Sequence, residues 1–305
     1  MTTTPQPPHE PHPNHDRGLE FDLSTLMSRR SLGMFLGAGT AAALAACSPA
    51  GTSGGSTSAS SSPTPAATAP ATSAAAAATP SASSSATPTL TRAIAECGAE
   101  IPQETAGPYP GDGSNGPNVL ETSGVVRQDI TSSFGTASST AEGVPLTVTL
   151  TLLDNANGCT PLAGAAVYAW HCDRDGKYSM YDSGLQNENY LRGVQEADAN
   201  GQVTFKTIYP GAYSGRWPHI HFEVFESMSN ATAAGQVLAV SQIALTETAC
   251  KEVYASAGYE TSAQNFPRTT LKSDNVFGDD GGIYQLATMS GSIAAGYAAG
   301  LNVTV

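Results

Sequence analysis

Leu146-Thr147-Val148-Thr149-Leu150-Thr151-Leu152 sets a large aliphatic side chain beside a threonine at every step. Successive residues of a strand face opposite ways, so this stretch predicts a strand with one apolar and one hydroxylated face. Asn155-Ala156-Asn157-Gly158 follows as a turn, and a second strand is expected from Ala165 to His171. Further strands are expected at Gln202–Ile208, His219–Phe225, Val237–Leu245, Ile283–Ser290 and Tyr297–Val305, with Gly, Asn, Asp and Pro gathered between them. Short strands with such punctuation imply an all-β fold, an antiparallel β-sandwich with long loops. No stretch carries the long helical periodicity of an α/β enzyme.

Outward from that core, composition divides the chain of 305 residues unevenly. Residues 48–93 are almost entirely Ala, Ser, Thr, Pro and Gly, too poor in large apolar groups to offset the entropy of ordering, and are expected to form a disordered tether. The foldable part is expected over residues 94–305, enough for one sizeable core. Residues 1–47 read as an export signal: Arg29-Arg30 precede a weakly apolar run of the twin-arginine type, and Leu44-Ala45-Ala46-Cys47 resembles a lipobox. The expectation is export by a twin-arginine-type route to the cell surface or the medium, with a membrane contact only through a lipid anchor at Cys47. His9, His12 and His15 fall in the polar leader ahead of the arginines and belong with it.

The formal net charge of −13 becomes −12 beyond residue 47, because the first 47 residues hold three of the 13 basic and four of the 26 acidic side chains. An acidic surface argues against a nucleic-acid partner. Apart from Cys47 there are cysteines at 97, 159, 172 and 250, an even count that favours disulfides in an exported protein. The turn carrying Cys159 lies one strand length from Cys172, which favours Cys97–Cys172 and Cys159–Cys250. No C-x-x-C spacing suggests zinc.

The richest stretch for chemistry is Thr207–Phe225, TIYPGAYSGRWPHIHFEVF. His219 and His221 stand two apart on an expected strand, so their imidazoles share a face, as two ligands of one metal must. Tyr213 follows Pro210-Gly211-Ala212 in a turn, Arg216 stands three residues before His219, and Tyr178 follows Asp175-Gly176-Lys177. His171 lies seven residues before Tyr178 and is the remaining histidine of the foldable part. Trp170 and Trp217 read as packing residues, and Tyr109, Tyr181 and Tyr209 as further pocket candidates.

Three segments in this order, AVYAWHCDRDGKYS, DANGQVTFKTIYPGAY and RWPHIHFEVF, resemble the intradiol ring-cleavage dioxygenases, the family of catechol and protocatechuate dioxygenases. The resemblance covers about residues 97–250 and implies a non-haem Fe(III) ion held by Tyr178, Tyr213, His219 and His221. It implies further that Arg216 faces the substrate ring, that Tyr213 leaves the metal and accepts a proton, and that Gln242 stands behind the ligands. Glu104-Thr105-Ala106-Gly107-Pro108-Tyr109 resembles the family's lead-in segment. The expected activity is cleavage of a catechol by dioxygen to a cis,cis-muconate-type diacid, and a homodimer is compatible with it. His171 has no place in this ligand pattern. The loop from Tyr213 to His219 is shorter than in the soluble catabolic enzymes, and the tail beyond Cys250 does not follow them. A phenolic- or iron-binding surface lipoprotein without turnover is the competing reading.

Overall fold

The computed structural model describes residues 99–233 and 235–305. The expected export signal, Cys47, the tether and Cys97 lie outside the described residues. The strands are β1 (Pro145–Asp154), β2 (Thr160–Pro161), β3 (Ala166–Trp170), β4 (Arg192–Glu196), β5 (Gln202–Ile208), β6 (His219–Phe225), β7 (Val237–Ala244), β8 (Thr288–Ser292) and β9 (Gly296–Thr304). Short helices α1 (Met228–Ala231), α2 (Glu247–Tyr254) and α3 (Glu260–Asn265) interrupt the second half.

The strands form two sheets. One runs β2-β1-β9-β8 with β5 also on β1, and the other runs β4-β3-β6-β7. Leu146, Val148, Leu150 and Leu152 of β1 project into a core shared with Phe205, Leu301 and Val303, and with Val167, Ala169, Ile220, Phe222 and Val224 of the second sheet. Each such side chain contributes roughly 1.5–3 kcal/mol on burial, which is what clamps the sheets together. The alternation read in β1 therefore decides an all-β sandwich. One ladder departs from antiparallel pairing, since β1 and β9 run parallel from Leu146↔Tyr297 to Leu153↔Thr304.

Two expectations are corrected. The strand expected at Ile283–Ser290 begins only at Thr288: Gly281 and Gly282 take positive φ, and Gln285 and Leu286 bond back to Gly282, so the chain turns where an extended run was expected. The expected disulfides do not form as paired. Cys159 is disulfide-bonded, whereas Cys172 and Cys250 are free, buried thiols. Cys172 packs on the site face and donates to Gly211 O, and Cys250 on α2 meets the Tyr209 hydroxyl in the core. Sequence separation along one strand said nothing about these two opposed directions.

Candidate metal centre

The second sheet has two buried faces. Its even-numbered β6 residues face the shared core, while His219, His221 and Glu223 face the other way, toward Tyr168 and Trp170 of β3. Register sets Arg192, Trp170, His221 and Gln242 in one row across β4, β3, β6 and β7. The Trp170 ring stacks on His221 at 5.0 Å between centroids and 6° between planes. Two irregular segments cover this face.

The first cover is the lead-in segment. Gln242 Nε2 donates to Thr105 O at 2.9 Å, and Arg192 holds the carbonyls of Tyr109 and Pro110. Gly107 sits directly over His221 with φ +70, and a Cβ there would come within 3.2 Å of His221 Cε1. Both the close approach and the left-handed backbone call for glycine.

The second cover brings the tyrosine loops together. Gly211 N donates to Asp173 O at 2.9 Å, and a Cβ on Gly211 would collide with Arg174 O at 2.5 Å. Asp173 Oδ1 accepts from the amides of Asp175 and Lys177, closing the turn before Tyr178, whose own amide donates to Asp182. The glycines noted in both motifs thus let one turn lie on the other. Tyr178 is buried and Tyr213 is half-buried.

Four donor atoms meet there. Tyr178 Oη lies 3.5 Å from Tyr213 Oη, Tyr213 Oη lies 3.1 Å from His219 Nε2, and His219 Nε2 lies 3.1 Å from His221 Nε2. His219 Nδ1 donates to Trp217 O at 2.5 Å, so its Nε2 carries the lone pair that points into the cluster. Burial, and then the Arg216 charge, hold His219 well below the ordinary histidine value; burial and then His219 do the same for His221. Both imidazoles are therefore neutral, the state a metal ligand requires. Burial, with Tyr213 beside it, raises the Tyr178 phenol well above its ordinary value. Without a strong Lewis acid the Tyr178 phenol stays protonated. Two imidazole nitrogens, that of His219 with its lone pair fixed, and two phenols fit a hard trivalent cation such as ferric iron.

Arg216 is buried beside the cluster. Its Nε donates to Asp274 Oδ2 at 3.0 Å and its Nη2 to Gln242 Oε1 at 2.6 Å. His171 stands apart from the four donors: Nδ1 donates to Cys172 O and Nε2 accepts from Thr207 Oγ1, both at 2.7 Å, which uses up its lone pair. Tyr109 lies on Tyr178 at 5.0 Å between centroids, and Tyr181 flanks Tyr109 at 5.1 Å. Tyr209 belongs to the sandwich core instead. Trp217 donates to Leu245 O and packs on Phe266. Asp274 and Arg192 were not anticipated as parts of the site. No spacing relative to the histidine pair marks Asp274, and Arg192 lies in a strand whose Gly and charges hide its alternation.

A family profile described as Dioxygenase matches residues 115–221, the span that ends on His221. An intradiol ring-cleavage dioxygenase from Tetranychus urticae is 28% identical with a TM-score of 0.50, covering 59% of this chain and 86% of that one. By profile and by fold, the chain is similar to the intradiol ring-cleavage dioxygenases. A chlorocatechol 1,2-dioxygenase from Rhodococcus opacus is 35% identical over 54 residues, 18% of this chain. That match spans 21% of the relative, about a fifth of its length. Within this chain the profile takes in Tyr178, Tyr213, His219 and His221, while Gln242 and Asp274 come from beyond it.

Proposed function

We propose that this chain is a ferric dioxygenase that opens a catecholic ring between its two hydroxyls, incorporating both atoms of dioxygen to give a cis,cis-muconate-type diacid. The observation that carries the reading is the meeting of Tyr178 Oη, Tyr213 Oη, His219 Nε2 and His221 Nε2 in steps of 3.1–3.5 Å. Ferric iron bound by these four would supply the Lewis acidity that holds a catecholate and draws electron density from its ring.

The protein's own groups divide the remaining work. Tyr178 is fully enclosed and serves as the permanent phenolate. Tyr213 borders exposed Ser214 and Gly215, so it has room to swing out and take a proton from an incoming catechol hydroxyl. Arg216 presents a permanent cation toward charge developing on the substrate. The lead-in segment over His221 keeps water from that side. Arg216 is already bonded to Asp274 and Gln242, which leaves it a poor partner for a ring carboxylate. The preferred substrates are accordingly catechols without one, whether plain, alkyl-, hydroxy- or halogen-substituted.

Aerobically purified, iron-loaded protein tests the reading directly. A visible tyrosinate-to-iron charge-transfer band together with dioxygen uptake on adding catechols is expected. Colour without uptake on any catechol would make the chain a binder, and failure to bind iron would defeat both readings. Export and lipidation at Cys47 are part of the same proposal and rest on the sequence alone.

A further inference from the structure

The tail beyond Cys250 reaches back into the site through one carboxylate. Asp274 and Arg216 have side chains 0% and 1% exposed, so neither charge is solvated by water. Asp274 Oδ2 accepts from Arg216 Nε at 3.0 Å and from Trp217 N at 2.6 Å. Its Oδ1 accepts from Val276 N at 2.8 Å and Phe277 N at 3.1 Å. Four donors converge on two oxygens, and every one is an N–H. Only an acceptor-only group satisfies them; an amide offers one oxygen and turns an NH2 against the other pair.

We infer that Asp274 is a positioning residue that aims the Arg216 guanidinium at the donor cluster. This role rests on the ring-cleavage reading for its catalytic meaning. The guanidinium is planar, so two contacts in different directions fix its plane. Asp274 supplies one through Nε and Gln242 the other through Nη2, and Gln242 is itself anchored by Thr105 O. The bond from Trp217 N to the same Oδ2 fixes the short turn that leads from Arg216 into His219, whose Nδ1 is held by Trp217 O. The Val276 and Phe277 bonds close the tail's turn and set the Phe277 ring 6.5 Å from His219. One buried carboxylate therefore couples the tail to the arginine and to a candidate ligand. It also balances the Arg216 charge, so the guanidinium acts as an oriented, charge-assisted donor.

The test has two independent readouts. In the metal-free protein, the Arg216 Nε–H resonance, assigned by its absence in Arg216→Lys, is expected to be slow to exchange with solvent. It should exchange at least tenfold faster in Asp274→Asn. Fast exchange in the unsubstituted protein would overturn the inference whatever the enzyme does, and this arm needs no folded variant at position 274. In the iron-loaded enzyme, Asp274→Asn is expected to lower kcat by roughly 10- to 100-fold with a smaller change in KM. In an Arg216→Ala background the same substitution should change kcat by less than about threefold, the non-additivity of two groups acting as one. An equal loss in both backgrounds would show Asp274 to be merely structural. Absence of turnover in the unsubstituted enzyme would defeat the ring-cleavage reading and leave the exchange result standing.

Discussion

Three histidines lie in the folded part, and what separates them is the fate of each lone pair. His171 accepts from Thr207 Oγ1 and donates to Cys172 O, so it is complete without a metal. His219 spends its proton on Trp217 O and aims Nε2 at His221 and Tyr213. Among the described residues His221 has no hydrogen-bond partner at Nδ1, and its ring stacks on Trp170. Tyr178→Phe and His221→Ala are therefore expected to abolish the charge-transfer band, whereas His171→Ala should lose stability and keep the colour. Absorption spectra of the three iron-loaded variants check this, and a colourless His171→Ala would reassign the ligands. The histidine pair was legible from its i, i+2 spacing on a strand. The tyrosines were legible through resemblance to the family, since no spacing rule brings residues 178 and 213 together.

Among the elements, strands with clean alternation or β-branched runs were read closely. The expected bounds of β5 and β6 are the observed ones, and β1 was missed by a residue or two at each end. β4 was missed because Arg-Gly-Val-Gln-Glu puts its charge on the buried side, where a pattern reader expects an apolar group. Arg192 tolerates that position because all of its donors are satisfied. Nε reaches Ser179 Oγ, Nη1 reaches Pro110 O and the Tyr168 hydroxyl, and Nη2 reaches Tyr109 O and Ser179 O. One side chain thus ties the lead-in segment, the Tyr178 loop and β3 together. Arg192→Met should remove the Arg192 donor from the buried Tyr109 and Ser179 carbonyls and take one partner each from Pro110 O and the Tyr168 and Ser179 hydroxyls, at a cost of about 3–5 kcal/mol. Urea unfolding measures the loss, and faster proteolysis within residues 104–111 should accompany it. Arg192→Lys, with no planar fork, should recover only part. A variant as stable as the parent would show that the lead-in segment is held by its other contacts.

At the scale of the whole molecule, the proposed organisation is an exported catalytic sandwich on a tether. Cys47→Ser should move the protein from the membrane fraction to the soluble one without changing dioxygen uptake. Stability of the sandwich itself carries a pH signature to which buried groups of opposite sign contribute, His171 and Glu104 among them. Burial holds His171 down at about 4, from an ordinary 6.5. Its contribution is present above pH 6.5 and is lost as pH falls toward 4. Glu104 behaves the other way, because burial lifts it from 4.5 to about 7, against the lowering by Gln285 and Arg216 and with Asp279 and Asp280 adding to the rise. Below pH 4.5 Glu104 is protonated in both folded and unfolded chains. As pH climbs to 7 the unfolded chain gives up the proton first, and the folded state loses on the order of 3 kcal/mol at most. Between pH 4.5 and 6.5 these two slopes oppose each other, with His219 and His221 adding to the rising side and Asp173, lifted by burial to about 6, to the falling side. Glu104→Gln removes the Glu104 share of the falling side: its stability relative to wild type should grow steadily from pH 4.5 to 7 and level off above. Chemical denaturation of the two proteins across that range measures the difference directly, and parallel curves would mean that Glu104 titrates as an ordinary surface carboxylate.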